Sequence, residues 1–189
     1  MPRLFPALLM LSVLALPAQP VRAENEVYGG LGVGYSTFKI DNLGFEGSAY
    51  ASRQFLGLRY GDYVGVELGY TNFGTVKDQV AVQQGQQSIV DRVETSGYDL
   101  ALLGIYPIDS GLKVFGKLGA ISWDSEATLG SFPLPTKQDG TDLVWGVGLD
   151  FRGSERFHVR IQGEFVDIEF ANSWWVLTAS LIYGIPFGN

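Results

Sequence analysis

The chain has 189 residues, contains no cysteine and carries a formal net charge of −7 at neutral pH. This acidic balance argues against a nucleic-acid-binding protein, which needs basic patches, and without cysteine there are no disulfides and no lipid-carrying thiol. Glycine accounts for 25 residues, and 46% of all residues are hydrophobic. So much glycine disfavours helices, and most of it lies in segments where apolar and polar residues alternate.

Residues 1–23 have the three parts of a secretory signal peptide. Arg3 supplies the positive charge, residues 4–16 form an apolar run, and residues 21–23 offer a small-residue cleavage site. The apolar run is too short for a spanning helix, which needs about 20 residues, and no later segment is long and apolar enough either. We therefore expect an exported chain whose mature domain covers residues 24–189.

The segment 142–152 shows the pattern that decides the fold class. Its odd positions carry Leu143, Trp145, Val147, Leu149 and Phe151. Its even positions carry glycine, valine and charged residues. A period of two predicts a β-strand with one apolar face. Because glycine and charge are unusual on the other face of a soluble sheet, we interpret the apolar face as lipid-facing and the polar face as the lining of a barrel.

Similar segments recur along the chain and are predicted as eight strands, at residues 27–38, 50–60, 64–73, 93–106, 112–123, 142–152, 157–168 and 174–187. Most hold the roughly 9–11 residues of a tilted transmembrane strand. The connections alternate between short turns at 61–63, 107–111 and 153–156 and longer polar loops at 39–49, 74–92 and 124–141, with a brief last link at 169–173. This asymmetry is typical of an outer-membrane barrel with its short turns in the periplasm. The predicted fold is an all-β, eight-stranded antiparallel transmembrane β-barrel.

The alternative fold is a secreted β-sandwich or lipocalin-like barrel, apolar inside and polar outside. Periodicity alone does not distinguish inside from outside. The polar faces of this chain are rich in glycine and poor in lysine, which suits a narrow lumen with little room for side chains. The pattern therefore favours the membrane barrel.

The pattern also gives local predictions. Aromatic residues near strand ends are predicted to form interface girdles; these are Tyr28, Tyr60, Tyr106, Trp123, Trp175 and Phe187. Two strands fit the alternation less well. Phe115 lies on the lysine side of the fifth strand, and Arg53 and Arg59 share a face with Phe55 on the second.

Short motifs along the strands follow one another in a particular order. They are VYGGLGVGYS at 27–36, VGVELGY at 64–70, LGIYPI at 103–108 with FGKLGA at 115–120 and Trp123, and VRIQ at 159–162. These motifs resemble the first, third, fourth, fifth and seventh strands of the transmembrane domain of outer membrane protein A and its small relatives. The resemblance covers nearly the whole predicted mature chain.

This resemblance implies a barrel placed by the barrel insertion machinery in the outer membrane of a Gram-negative cell, in contact with outer-membrane lipid and lipopolysaccharide. We expect a monomer. Family members often carry a peptidoglycan-binding domain after the barrel. Because the sequence stops at Asn189, we expect no tethering to peptidoglycan.

Five charged residues have the parity of the lumen face, namely Glu67, Lys117, Asp150, Arg160 and Glu164. A narrow lumen must pair its charges, because unpaired buried charge is costly. By resemblance, Glu67 and Arg160 match positions that form an ion pair plugging the family's barrel. Two hypotheses stay open: a purely structural network, and a gate in which Lys117 competes for Glu67. Under the gate hypothesis, Arg160→Ala raises conductance in planar bilayers.

The sequence shows no arrangement that suits catalysis or metal binding. His158 is the only histidine, and no serine lies on its strand, so a nucleophile with its base is not apparent. The loop acids Asp139 and Asp142 lack the spacing of a dedicated calcium loop. The glycine-rich segment 29–34 lacks the helix that follows a phosphate loop. We expect no enzymatic activity, no cofactor and no metal.

The expected role is structural: envelope integrity in the outer membrane, with surface loops exposed for contact. Two alternatives stay open. A narrow pore or a carrier of small hydrophobic molecules would show conductance or ligand density in the lumen. A surface adhesin would lose its binding to cells or matrix when residues 75–91 are deleted.

Overall fold

A computed structural model describes residues 25–40, 45–80, 89–128, 136–167 and 173–188. These residues form eight antiparallel strands: β1 Asn25–Ile40, β2 Phe45–Tyr60, β3 Val64–Val80, β4 Ile89–Pro107, β5 Leu112–Thr128, β6 Thr136–Arg152, β7 Phe157–Asp167 and β8 Ser173–Phe187. Each strand pairs with the next, and β8 returns to pair with β1, so the sheet is a closed barrel. The predicted fold is confirmed. No helix in this described part of the chain is long and apolar enough to cross a membrane.

The two ends of the barrel differ. At one end, here called the turn end, short connections at 61–63, 108–111 and 153–156 join the strands. At the other, the hairpin end, the strands continue well into the segments predicted as loops. β3 runs to Val80, and its backbone pairs with β4 as far as Val80↔Ile89. The prediction of long polar loops at 39–49, 74–92 and 124–141 is therefore wrong over much of these ranges.

The physical reason is that the prediction depended on apolar alternation, whereas strand pairing depends on backbone hydrogen bonds. Once the sheet leaves the apolar environment, both of its faces can be polar, and the alternation disappears while the pairing continues. The predicted signal peptide at 1–23, residue 168 of the predicted seventh strand and most of the link at 169–173 lie outside the described residues.

Alternate side chains point outward and form a continuous apolar belt. On β6 the exposed residues are Leu143, Trp145, Val147, Leu149 and Phe151, as predicted. Rings of neighbouring strands meet near the hairpin end: Tyr35 and Tyr50 have centroids 4.6 Å apart, and Tyr70 and Tyr98 are 4.8 Å apart. Phe157 and Tyr183 meet at 5.1 Å near the turn end. Two aromatic girdles therefore border the belt.

The predicted membership of these girdles is partly wrong. Tyr60, Trp175 and Phe187 point outward, and Tyr106 is half-buried. Tyr28 and Trp123 instead point into the lumen, where they are 1% and 5% exposed. Position near a strand end does not decide the face; parity along the strand does.

Glycines on the lumen face make room for large side chains on the neighbouring strand. The Tyr28 ring covers Gly57, and the Phe55 ring covers Gly30, so closely that a Cβ at either glycine would overlap the ring. In a barrel this narrow, a large inward side chain needs a neighbour without one. The glycine content noted in the sequence thus allows two aromatic rings to fit inside the barrel.

Arginine substitutions at two heights on β6 measure where the membrane lies. Val147 is 52% exposed in the middle of the belt. We expect Val147→Arg to lower the free energy of unfolding by about 2–4 kcal/mol, because the charge enters hydrocarbon. Thr141→Arg lies on the same face beyond the girdle, and its expected cost is about 0–1 kcal/mol. Urea unfolding in phospholipid vesicles measures both, and equal costs would contradict this placement.

Candidate functional site

Most of the lumen is lined by charge. The inward positions of β1 to β7 and of the first turn bring together twelve ionisable side chains, each at most 8% exposed; they are Glu26, Arg53, Arg59, Asp62, Glu67, Asp99, Lys113, Lys117, Asp150, His158, Arg160 and Glu164. Six are carboxylates. We call this set the lumen ion-pair network. Because the sheet alternates, those on the strands all lie on the face opposite the apolar belt.

Arg53 is the centre of the network. Its guanidinium bonds Asp99 twice, at 2.8 and 3.1 Å, and lies 3.1 Å from Glu67 and 3.4 Å from Glu164. Lys117 is the second cation there: its Nζ lies 2.7 Å from Asp99 and 3.9 Å from Glu67, and it also bonds Glu164. Two cations therefore share three carboxylates, which lowers the cost of burying all five charges.

A second group of ion pairs continues toward the turn end. Arg160 lies 2.6 Å from Glu67 and 3.3 Å from Asp150. Arg59 bonds Asp150 at 3.1 Å and Glu26 at 2.6 Å. Since Glu67 and Asp150 each take two arginines, the ion pairs form one continuous chain from Glu26 to the central group.

His158 lies among these carboxylates. Its Nδ1 is 3.1 Å from Asp150, and its Nε2 is 3.5 Å from Glu26. Lys113, nearer the end of the barrel, faces Asp62 at 3.7 Å. The imidazole is 2% exposed and is held by side chains of β6 and β1. It belongs to the network rather than to a separate site.

Aromatic rings enclose Arg160. Its guanidinium carbon lies 5.4, 5.0 and 4.6 Å from the ring centroids of Tyr28, Phe55 and Phe115. The Tyr28 hydroxyl donates a hydrogen bond of 3.1 Å to Glu67, the ion-pair partner of Arg160. Cation–π attraction adds to the ion pairs where water is excluded. The pair Glu67–Arg160 is thus fixed from several directions.

Apolar side chains fill the hairpin end of the lumen. They are Ala49, Ala51, Phe73, Ile121, Trp123, Val144, Val166, Trp174 and Val176. We call them the apolar plug. The Phe73 and Trp174 rings lie 4.5 Å apart, and Trp123 donates a hydrogen bond of 2.6 Å to Asp142. On each contributing strand that also carries a charge of the network, the plug residue lies nearer the hairpin end than that charge does. The lumen is therefore charged in its centre and turn end and apolar at its hairpin end.

The five lumen residues singled out from the sequence all lie within the network. Glu67, Lys117, Asp150, Arg160 and Glu164 are each at most 3% exposed. Within this set, Arg160 joins Glu67 and Asp150, and Lys117 joins Glu164. The contact that a gate requires, Lys117 to Glu67, is the longest that Lys117 makes, at 3.9 Å.

Sequence reasoning missed the central arginine and its main partner. Arg53 had a usable signal, because it shares parity with Arg59 and a second arginine on one strand face needs carboxylates opposite. Asp99 had no such signal. The same face of β4 continues with Ala101, Leu103 and Ile105, so the pattern indicates an apolar face. Within the described residues no group of three or more histidine, cysteine or acidic side chains is placed to hold a metal ion.

A closed sheet with an apolar belt, two aromatic girdles and an ion-paired lumen defines a small transmembrane β-barrel. The chain belongs to the outer membrane protein beta-barrel domain family, whose model matches residues 7–181. It is also similar to outer membrane protein A of Serratia marcescens, at 26% identity over 174 residues. That match covers 82% of this chain and 46% of the relative, so the chain spans about half the relative's length.

Solved structures share the fold. Ail, the attachment invasion locus protein of Yersinia pestis, was crystallised with the heparin analogue sucrose octasulfate; it is 16% identical with a TM-score of 0.62, covering 86% of this chain and 99% of Ail. Neisserial surface protein A is 14% identical with a TM-score of 0.62, covering 83% and 96%. The OprF barrel domain of Pseudomonas aeruginosa has 14% identity and a TM-score of 0.57, covering 87% and 100%. The protein is located in the outer membrane of a Gram-negative cell, where short turns face the periplasm.

Proposed function

We propose that the protein is a structural barrel that supports the integrity of the outer membrane and conducts no solutes. The filled lumen is the observation that supports this role. Phe73, Trp123 and Trp174 are at most 5% exposed at the hairpin end, and the lumen ion-pair network lies between them and the turn end. A passing ion would have to displace both an apolar plug and paired charges.

The contacts within the lumen favour a structural network over a gate. Lys117 is already bonded to Asp99 and Glu164, and Arg160 is enclosed by three rings. Exchanging partners at Glu67 would break several buried pairs at once, each of which is costly to leave unmatched. The network is therefore proposed to hold the strands in register.

Conductance of Arg160→Ala separates these two roles. A gate predicts higher conductance, because the substitution removes the plugging ion pair. We expect conductance in planar bilayers to stay at the level of the native protein, since the apolar plug lies beyond Arg160 toward the hairpin end. The control is heat-modifiability on SDS gels, which shows that the variant is folded. A conductance step in a folded variant would contradict the proposal.

A catalytic role is not part of this proposal. His158 is the only histidine, its ring is held by Asp150 and Glu26, and it is 2% exposed inside the barrel. Lipid substrates outside the barrel do not reach such a group. These contacts support a structural histidine.

A surface adhesin is the second candidate, and one observation favours it: the strands β3 to β6 project beyond the girdle at the hairpin end. Side chains in this region are mainly acidic, with Glu94, Asp124, Glu126 and Asp139 near Lys137. Such a surface suits a basic partner rather than a sulfated one such as the heparin analogue bound to Ail. Loss of cell binding after deletion of residues 75–91 would support this candidate.

A further inference from the structure

His158 contacts two carboxylates that also share an arginine. Arg59 bonds one oxygen of each, Oε2 of Glu26 at 2.6 Å and Oδ2 of Asp150 at 3.1 Å. The imidazole faces the other oxygen of each: its Nδ1 lies 3.1 Å from Oδ1 of Asp150, and its Nε2 lies 3.5 Å from Oε1 of Glu26. Arg59 and His158 therefore bridge the same two carboxylates through different oxygens. We call these four side chains the turn-end clasp.

Only a protonated ring suits both contacts of His158. A neutral imidazole carries one N–H, and its other nitrogen is an acceptor. Whichever nitrogen held the single proton, the lone pair of the other would face a carboxylate oxygen of Asp150 or Glu26, and two acceptors would oppose each other. An imidazolium carries an N–H on both nitrogens and can donate toward both carboxylates.

The charge balance of the lumen ion-pair network supports the same conclusion. Its twelve members, each at most 8% exposed, include six carboxylates but five arginine and lysine side chains. An unmatched carboxylate inside the barrel is costly, and His158 is the one remaining member that can carry a sixth positive charge. A protonated ring makes the network neutral, whereas a neutral ring leaves one negative charge in excess.

The charged groups packed around the ring come from several elements. They are Glu26 on β1, Arg59 on β2, Asp62 in the first turn, Lys113 on β5, Asp150 and Arg152 on β6, and Arg160 on β7. The neighbour on β8 is the apolar Ile182. Arg152 is the register partner of His158 and opposes a further cation, but it is half-buried at the rim, where water screens its charge. Asp150 and Glu26, whose charged atoms contact the imidazole directly, outweigh it.

We propose that His158 is an imidazolium in the folded barrel and that the turn-end clasp is a pH-sensitive device, which holds β1 to β6 and β7. Because the folded barrel binds this proton, the proton stabilises it; the stabilisation is present at low pH and disappears as rising pH removes the proton. Glu26 then loses one of its two cationic partners, and the turn end of β1 is held less firmly. This end faces the periplasm, so periplasmic pH sets the state of the clasp. The inference goes beyond the proposed envelope role and requires only a folded barrel.

Nitrogen-15 NMR of the imidazole tests the protonation directly. The chain contains one histidine, so the untagged protein in phospholipid vesicles gives the signals of a single ring. We expect both ring nitrogens to carry protons at about pH 7. Glu26→Gln removes one of the two carboxylates, and its ring should lose the proton at lower pH than the native ring does. Glu155→Gln is the matched control, because Glu155 is exposed in the turn before β7; it should titrate like the native protein. A neutral ring at about pH 7, or equal titration in native protein and Glu26→Gln, would overturn the proposal.

Unfolding rates in phospholipid vesicles measure the stabilising effect of the clasp. We expect the rate of the native protein to rise about tenfold between about pH 6 and pH 9. His158→Gln keeps a polar side chain of similar size, and it should lack this rise. All other groups titrate in both proteins, so the difference belongs to the ring. An equal rise in His158→Gln, with folding shown by heat-modifiability, would contradict the clasp. Should His158→Gln not fold, the NMR comparison of the native protein with Glu26→Gln decides.

Discussion

Arg53→Met is expected to lower the free energy of unfolding by about 3–5 kcal/mol. Arg53 pairs with Asp99, Glu67 and Glu164 at distances of 2.8 to 3.4 Å, and it is 1% exposed. Methionine keeps most of the side-chain volume, so the loss measures charge rather than a cavity. Lys117 and Arg160 remain, so the three carboxylates keep two of their three cations, and one buried negative charge is left unmatched. Urea unfolding in phospholipid vesicles, followed by tryptophan fluorescence, gives the value.

Two further variants identify the cause of that loss. Lys113→Met removes another lumen cation, whose one ion-pair partner among the described residues lies 3.7 Å away near the end of the barrel, and its expected cost is smaller than that of Arg53→Met. Adding Asp99→Asn to Arg53→Met should recover part of the lost stability, because one unmatched charge is removed as well. Equal costs for both cations, or no recovery, would show that the ion pairs do not stabilise the barrel.

Opening the hairpin end requires loss of the apolar plug. We therefore expect the triple variant Phe73→Ala, Trp174→Ala, Arg160→Ala to conduct ions. Phe73→Ala with Trp174→Ala removes the two rings that lie 4.5 Å apart, and each change costs about 3–5 kcal/mol where the space does not refill. The costs should add incompletely, since the rings touch. Combined with Arg160→Ala, both barriers to ions are weakened. Discrete conductance steps in planar bilayers are the expected result.

The matched control for the plug is Trp175→Ala combined with Tyr50→Ala. Trp175 is the next residue along β8, points to the lipid and is 37% exposed, while Tyr50 is 77% exposed on β2. This variant also loses two rings, but the lumen stays filled. It should remain closed even when combined with Arg160→Ala. Conductance in this control would assign the effect to the girdle rather than to the plug.

The barrel could be predicted because alternate residues of each strand face lipid and the polar lumen. The sequence therefore alternates between apolar and polar residues. In residues 142–152 every odd position faces lipid and is apolar, and glycine and charge occupy most inward positions. Extension of β3 to Val80 and of β6 back to Thr136 could not be predicted from that alternation. Beyond the girdles both faces of a strand meet water, so neither face needs to be apolar.

The lumen-facing residues were less predictable than those of the belt. The lumen is charged in its centre and turn end but apolar at its hairpin end. Charges that alternate cleanly with apolar residues, such as Arg160 and Glu164 on β7, reveal their face directly. Asp99 shares its face with aliphatic residues. Plug residues such as Ile121 and Val144 are apolar on the inward side, so hydropathy cannot separate them from lipid-facing neighbours. Which charges meet across the barrel depends on the register of strands far apart in sequence.

The pairing of the first and last strands, Asn25 with Phe187, has a consequence for assembly. Until β8 joins β1, the sheet has two bare edges, and neither its backbone groups nor its guanidinium and carboxylate groups can enter hydrocarbon cheaply. An open sheet is therefore unstable within the membrane. Because Arg59 on β2 must reach Asp150 on β6, the charges become tolerable only once the cylinder is complete. Insertion of the barrel and its closure are thus coupled. A partly assembled form would expose the buried charges to the bilayer and would be unstable there.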